Sequence, residues 1–345
     1  MGKFFSRKLG QTEIKSFPIG FGGIPIQRVN ERKAIEIIRE AVKQGINFFD
    51  TARAYTDSEE KIGKSLSDID KKIYISTKTP ANTKKAALKD VKKSLENLQR
   101  DKIDIYHLHN VSDEKTYQKM VLNPNSALSG LKEAKRMGLI EHIGITGHSI
   151  ELLKKALKTG QFSVTMFCYN FIENECENDF LDFCRSKNIG MIAMKPFAGG
   201  RLNDASINLK YILQQNDVLA IPGMEKIEEV RENVSIVNNQ NVLTDKEREL
   251  MDYYKEKFTT QFCRRCGYCQ PCPEGVNIPI ILRAQSFINR MPEKDLKNGE
   301  KAVYKAFQTA YNCINCEVCI EKCPYNLPIP RLIEKNINII EKFLQ

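Results

Sequence analysis

Gly45-Ile46-Asn47-Phe48-Phe49-Asp50-Thr51-Ala52-Arg53-Ala54-Tyr55 is the stretch on which the fold of this chain turns. An apolar run, Ile46–Asp50, ends on a carboxylate, and the segment before it, Glu31–Gln44, carries apolar residues at three- and four-residue spacing, the pattern of an amphipathic helix. The same alternation recurs outward from there. Short β-branched or apolar runs fall at Phe17–Phe21, Ile46–Asp50, Ile73–Thr77, Ile103–His109, His142–Thr146, Val164–Cys168, Gly190–Met194 and Val218–Ile221. Lys84–Leu98 and Lys226–Val237 repeat the helical spacing. Eight alternations predict a closed (β/α)8 TIM barrel, an α/β fold. An open doubly wound sheet would want a glycine-rich phosphate loop after its first strand, and Gly20-Phe21-Gly22-Gly23 lacks the third glycine at the right offset.

In such barrels the chemistry sits at the C-terminal ends of the strands. Asp50 closes the second run, Tyr55 follows in its loop, Lys78 closes the third and His109 the fourth. Singly, each has a bland structural explanation: a helix cap, a packed ring, a solvated lysine, a satisfied interior histidine. Together on one rim they supply a tunable acid, two electrostatic supports and a neutral hydrogen-bond donor.

The 345 residues fit one barrel of about 250 residues with an appendage. With 41% hydrophobic and 28% charged residues the composition is that of a globular protein. The formal charge of +10 comes from lysines such as Lys84, Lys85, Lys89, Lys92 and Lys93, interleaved with acids and apolar residues as on a solvated helix face, so no nucleic-acid partner is expected. No apolar run approaches the ~18 residues that span a bilayer, and Met1-Gly2-Lys3-Phe4-Phe5-Ser6 lacks a secretory apolar core, which predicts a cytoplasmic protein with no membrane partner. The same six residues match a loose myristoylation pattern too short to carry weight.

Eight of the eleven cysteines fall in two runs: Cys263, Cys266, Cys269 and Cys272, then Cys313, Cys316, Cys319 and Cys323. Without a signal peptide such dense thiols read as cluster or metal ligands rather than disulfides. The second run is C-x2-C-x2-C-x3-C followed by Pro324, the bacterial ferredoxin spacing; the first is C-x2-C-x2-C-x2-C followed by Pro273. Three thiolates on a tight turn hold three corners of a cube, and a remote fourth closes it. The paired motif implies that Cys263, Cys266 and Cys269 share a [4Fe–4S] cluster with Cys323, and that Cys313, Cys316 and Cys319 share another with Cys272. Tetrahedral zinc explains only half the ligands of each run. Cys168, Cys176 and Cys184 lack such spacing and read as core or surface thiols. Ile278–Leu282, Ala302–Tyr311 and Ile329–Leu344 have helical character. The expected division is therefore a barrel with its connecting helix over 1–258 and an all-α iron–sulfur domain over 259–345, similar to the helical two-cluster ferredoxin domains appended to many redox enzymes.

The stretch Gly45–Tyr55 with Ser58-Glu59, together with Thr77-Lys78 and Asp104-Ile105-Tyr106-His107-Leu108-His109, resembles the aldo-keto reductase signature. Lys8-Leu9-Gly10-Gln11-Thr12, Ile143-Gly144-Ile145-Thr146, Ile221-Pro222-Gly223 and Glu232-Asn233 extend the resemblance over nearly all of the barrel. It implies an NAD(P)H-dependent oxidoreductase that interconverts a small-molecule carbonyl and an alcohol, with Asp50, Tyr55, Lys78 and His109 as its tetrad. It implies Thr146, Asn170, Lys195, Arg201, Gly223, Lys226 and Asn233 as cofactor contacts. Gly147, Met166 and Met194 stand where relatives often carry an asparagine, a glutamine and a stacking tyrosine, and the acids around Lys226 favour NADH over NADPH. The alternative reading is an electron-transfer or partner-binding iron–sulfur protein whose barrel binds nicotinamide without reducing carbonyls; either way the clusters allow a redox partner protein.

Overall fold

A computed structural model describes residues 6–239, 242–289 and 291–345. Met1–Phe5, on which the reading of the N-terminus rested, lie outside the described residues. The chain forms two compact units, Met1–Ala198 with Leu202–Leu243, and Gly199–Arg201 with Thr244–Gln345.

The first unit opens with a hairpin of β1 (Arg7–Lys8) and β2 (Lys15–Ser16). Eight parallel strands follow: β3 (Phe21–Gly22), β4 (Phe48–Asp50), β5 (Tyr74–Thr79), β6 (Ile103–Leu108), β7 (Ile140–Thr146), β8 (Val164–Cys168), β9 (Gly190–Met194) and β10 (Val218–Ala220), each paired with its neighbour in sequence. Parallel bridges Ile19–Ala220 and Gly22–Gly223, with Gly20 N–H donating to the Ala220 carbonyl at 2.8 Å, close the sheet into a barrel. The crossovers carry α1 (Glu31–Lys43), α2 (Ser58–Leu66), α3 (Lys84–Leu98), α4 (Glu114–Tyr117), α5 (Ala127–Arg136), α6 (Ile150–Leu157), α7 (Phe180–Ser186) and α8 (Ala205–Leu213), and α9 (Ile227–Asn238) follows the last strand.

Local chemistry sets these elements. Asn30 caps α1 by accepting from Lys33 N–H, and the helix turns Ala34, Ile37, Ile38, Ala41 and Val42 inward. Along each strand alternate residues face opposite sides of the sheet. Phe48, Tyr74, Ile105, Val164, Met166 and Ile192 form the cluster inside the barrel, with Leu9 and Ile14 of the hairpin against them. Their outward neighbours, such as Phe49, Ile75 and Tyr106, pack under the helices.

Two details differ from the sequence expectation. The first strand falls at Phe21–Gly22 rather than Phe17–Phe21, because Pro18 has no N–H for the ladder and Phe17 N–H is taken by the Asn47 side chain at 2.8 Å. No sequence period marks the hairpin; its turn needs Gly10, whose φ is +50° and whose added Cβ would fall 2.3 Å from the Gly190 nitrogen.

The second unit consists of α10 (Asp245–Thr259), α11 (Ile278–Ile281), α12 (Ala284–Ile288), α13 (Glu293–Leu296), α14 (Ala302–Gln308), α15 (Val318–Glu321) and α16 (Ile329–Leu344), with no strand among its described residues. Its compact boundary falls at Leu243, ahead of 258, so the connecting helix α10 goes with this unit. The reason lies in its rings: Tyr254 stacks on Phe258 at 6.2 Å, and Phe258 meets Phe262 edge-on at 6.4 Å, which carries the helix into the first cysteine run. Val276, Ile278, Ile281, Leu327, Ile329 and Ile333 form the core around the cysteines. Among the described residues no helix is long and apolar enough to cross a membrane.

Candidate active site and cluster cysteines

The register of the barrel builds the site. β4 pairs Asp50 with Ser76 on β5, and β5 pairs Lys78 with His107 on β6. Asp50, Ser76 and Lys78 are almost wholly buried. Lys78 Nζ stands 2.6 Å from Asp50 Oδ2 and donates to the Thr51 carbonyl at 2.6 Å, while the Ser76 hydroxyl donates to Asp50 Oδ1 at 2.9 Å. Burial pushes the Asp50 carboxyl up, and Lys78 and the two hydrogen bonds work against that. For Lys78, burial opposes the charge, but Asp50, Tyr55 and the Asp50 hydrogen bond outweigh it and hold its pKa above the ordinary lysine range.

Tyr55 sits on the turn after β4, where Tyr55 N–H donates to the Ala52 carbonyl and Ser58 N–H to that of Tyr55. Lys78 Nζ lies over its ring at 5.1 Å from the centroid, and the His109 ring meets it edge-on at 5.8 Å and 81°. Burial, then the charges of Lys78 and Lys195, push the His109 pKa down to about 3, which makes it a neutral donor at working pH. The structure thus brings Asp50, Tyr55, Lys78 and His109 together. Glu59 serves the loop from behind: it takes Arg53 at 2.5 Å, Thr77 at 2.8 Å and Ser94 at 2.7 Å.

Two site residues were missed from the sequence, Ser76 and His107. Their signal was parity, since Ser76 precedes Lys78 by two residues and His107 precedes His109 by two, and strand neighbours at that spacing face the same side.

The expected cofactor contacts separate. Thr146 ends β7, nearly buried, with its oxygen accepting from Asn110 N–H at 2.8 Å, which leaves the hydroxyl proton for donation. Lys195 follows β9 with φ +57° and places Nζ 3.2 Å from His148 Nε2; His148 Nδ1 is 3.5 Å from Cys168 Sγ. Asn170 spends its amide on its own loop: Oδ1 accepts from Ile172 and Glu173, and Nδ2 donates to Glu173 and to the Lys195 carbonyl. Through that last bond it ties its loop to the Lys195 backbone. Arg201 belongs to the second unit, where it donates to the Leu282 carbonyl at 3.3 Å and covers the Phe262 ring at 5.3 Å. Gly223 bridges Gly22 at the barrel closure, Lys226 is exposed at the head of α9, and Asn233 is buried on that helix. Glu229 accepts from Glu225 and Lys226 N–H, and Arg28 pairs with Glu225 at 2.5 Å. Gly147 has its own reason: an added Cβ would fall 2.5 Å from the Val111 carbonyl oxygen.

In the second unit the eight cysteines ring two cavities. Cys263, Cys266, Cys269 and Cys323 line one, and Cys272, Cys313, Cys316 and Cys319 line the other, with Cys269 reaching both. Cys323 of the second run thus lines the cavity of the first, and Cys272 of the first run that of the second. Apolar walls from Ile278, Leu282 and Leu327 enclose the first cavity, and Ile278, Pro330 and Ile333 the second. Among the described residues no three His, Cys, Asp or Glu side chains converge as ligands of a single metal ion. Four thiols around a cavity suit a four-iron cube, whose irons each take one cysteine sulfur.

Comparison with known proteins agrees with both halves. Residues 18–208 match the model of the aldo/keto reductase family, and residues 262–328 match that of a 4Fe–4S dicluster domain. L-galactose dehydrogenase of Arabidopsis thaliana is 30% identical over 223 residues, spanning 59% of this chain and 69% of the relative. The solved structure of the aldo-keto reductase AKR11C1 from Bacillus halodurans superposes with a TM-score of 0.62 at 24% identity, over 72% of this chain and 96% of that one. An aldo/keto reductase from Klebsiella pneumoniae, solved with NADP and acetate, gives 0.61 at 21% identity, over 73% and 95%.

Proposed function

This chain belongs to the aldo/keto reductase family, and on that premise we propose that it interconverts a small-molecule carbonyl and its alcohol at the Asp50–Tyr55–Lys78–His109 site, with a nicotinamide dinucleotide as cofactor. The observation that carries this is the Lys78 ammonium, held by Asp50 at 2.6 Å and set over the Tyr55 ring. A free phenol titrates near ~10, too high to trade a proton readily at neutral pH. The buried cation stabilises the phenolate and so eases release of the Tyr55 proton to the carbonyl oxygen; in the reverse direction the phenolate takes it back. His109, neutral and beside Tyr55, orients that oxygen by donating a hydrogen bond without adding a charge.

The bound nicotinamide supplies or accepts the hydride. Thr146 offers a hydroxyl to its carboxamide, Lys195 a cation to its phosphates, and Gly223, Lys226 and Asn233 the approach to its adenosine end. The head of α9 favours NADH, because Glu229 already takes the Glu225 and Lys226 N–H groups and Glu225 holds Arg28. A 2′-phosphate there would face two carboxylates.

The C-terminal portion, from 259 onward, holds two [4Fe–4S] clusters on the interleaved cysteines. Cys266 and Cys316 are exposed, which gives each cluster a side open to a one-electron partner protein. Substrate choice is best approached through aldoses, since the Arabidopsis relative bears the name of a sugar dehydrogenase.

The test is a panel of aldoses and simple aldehydes with NADH and NADPH, run on protein purified without oxygen, beside Tyr55→Phe. Carbonyl-dependent NADH oxidation that collapses in Tyr55→Phe, with cofactor binding and iron content unchanged, supports the reading. Undiminished turnover in that variant removes it.

A further inference from the structure

His107 is wholly buried inside the barrel, one inward position before His109. It is the register partner of Lys78 on β5 and of Gly144 on β7. A Cβ on Gly144 would lie 2.2 Å from His107 Nδ1, so the imidazole fills the space that the glycine leaves. On its other side Nε2 is 3.1 Å from Ser76 Oγ. Ser76 has one hydroxyl proton and gives it to Asp50 Oδ1. The group that meets Ser76 from His107 must then be a donor, which assigns the proton to Nε2. Nδ1 is left bare, buried and without a hydrogen-bond partner. An apolar side chain at 107 would leave no such orphan, so the imidazole costs stability that its contact with Ser76 has to return.

We propose that His107, acting through Ser76, is a positioning residue for the carbonyl–alcohol reaction: the chain from His107 Nε2–H to Ser76 Oγ–H to Asp50 Oδ1 fixes the carboxylate so that Oδ2 holds Lys78 against Tyr55. The inference rests on the reductase reading above. A hydroxyl with nothing behind it can rotate away from Asp50; with an N–H pointed at its oxygen, it keeps one direction. The titratable groups facing His107 are Lys78 from β5, Asp50 behind Ser76 from β4, and His109 on its own strand; β7 presents Gly144. Burial, and then the charge of Lys78, hold the ring neutral, so the chain keeps its polarity through the working range.

The test compares His107→Leu, His107→Gln, Ser76→Ala and the double variant His107→Leu/Ser76→Ala in the full, cluster-loaded chain. His107→Leu and Ser76→Ala should each lower kcat about tenfold with little change in carbonyl KM, the scale of one hydrogen bond to a charged group. Each should also move the acidic limb of the pH profile upward, because Asp50 loses a donor that favours its ionised form. The double variant should be no worse than either single one, and His107→Gln, which retains a donor, should restore both kcat and the limb. Additive losses, or a wild-type kcat and acidic limb in His107→Leu at unchanged Tm, overturn the relay. Tyr55→Phe in the same assay keeps the two readings apart: if it stays active the reductase reading has failed, whereas an inactive Tyr55→Phe beside an unaffected His107→Leu sinks the relay alone. Nitrogen-15 NMR of the histidines needs no variant to fold. A His107 protonated on Nε2 across the neutral range supports the chain, and the Nδ1–H tautomer refutes it.

Discussion

His109 meets Tyr55 edge-on, ring centroids 5.8 Å apart, and stays uncharged there because burial and two lysines push its pKa down to about 3. The unfolded chain protonates this histidine near ~6.5 and the folded chain does not. Stability owed to the neutral form is therefore complete above the unfolded pKa and is lost as pH falls from there towards about 3. The loss attributable to His109 is on the order of 4 kcal/mol across that window. Urea unfolding of the wild type and His109→Gln between neutral and mildly acidic pH should show a shallower slope in the variant. Equal slopes would mean that His109 charges freely in the folded state. The same shift removes any histidine limb of activity near neutral pH from this residue.

Lys78 and Asp50 form a buried pair, and such pairs are most costly when only one partner is removed. Lys78→Met leaves a carboxylate in the barrel and should destabilise the chain by about 3–5 kcal/mol, with carbonyl turnover down by about a hundredfold or more. Lys78→Met with Asp50→Asn should recover much of the stability and none of the activity. Unfolding free energies of the two single variants and the double variant measure this. A double variant as unstable as the sum of the singles would show that the two do not act as a pair.

How far the sequence reached depended on whether a signal was local. The barrel is periodic, so β4 to β10 and α1, α3 and α9 could be located from spacing. The two-residue strands of the hairpin have no period to read, and Pro18 moved the first barrel strand for want of one N–H. Asp50, Lys78 and His109 stood out because they end apolar runs, whereas Ser76 and His107 lie within theirs and depend on the register between strands. Asn170 and Arg201 have contacts of a kind that spacing does not reveal. Both follow barrel strands, yet the amide of the first bonds within its own loop and the second donates to the Leu282 carbonyl, 81 residues further along the chain. The cysteine runs were legible because three of the cysteines that line each cavity come from one short turn.

Arg28 is held by Glu225 at 2.5 Å, beside the head of α9. Glu225→Gln removes the opposing charge and frees the guanidinium for a 2′-phosphate. KM for NADPH should fall about tenfold while that for NADH changes little, a shift worth one partly exposed charge contact. The effect should shrink with added salt. Equal gains with both cofactors would place the adenosine end elsewhere.

The interleaving of the two cysteine runs makes the fourth ligands diagnostic. Cys272 comes from the first run but lines the cavity of the second, and Cys323 does the reverse. If each cube took all four ligands from one run, Cys272→Ser would damage the cluster of Cys263, Cys266 and Cys269. With crossed ligands it should damage that of Cys313, Cys316 and Cys319 instead. Pairing each serine variant with Cys266→Ser or Cys316→Ser decides the matter through iron content, which should start near about eight per chain. Cys272→Ser with Cys316→Ser strikes one cube twice and should retain about four irons, whereas Cys272→Ser with Cys266→Ser strikes both cubes and should retain almost none. The reverse order would mean that each run closes its own cluster. In that case the second unit would be two cluster modules in series, and α11 to α14 between the runs would not be needed to bring a fourth thiolate to either.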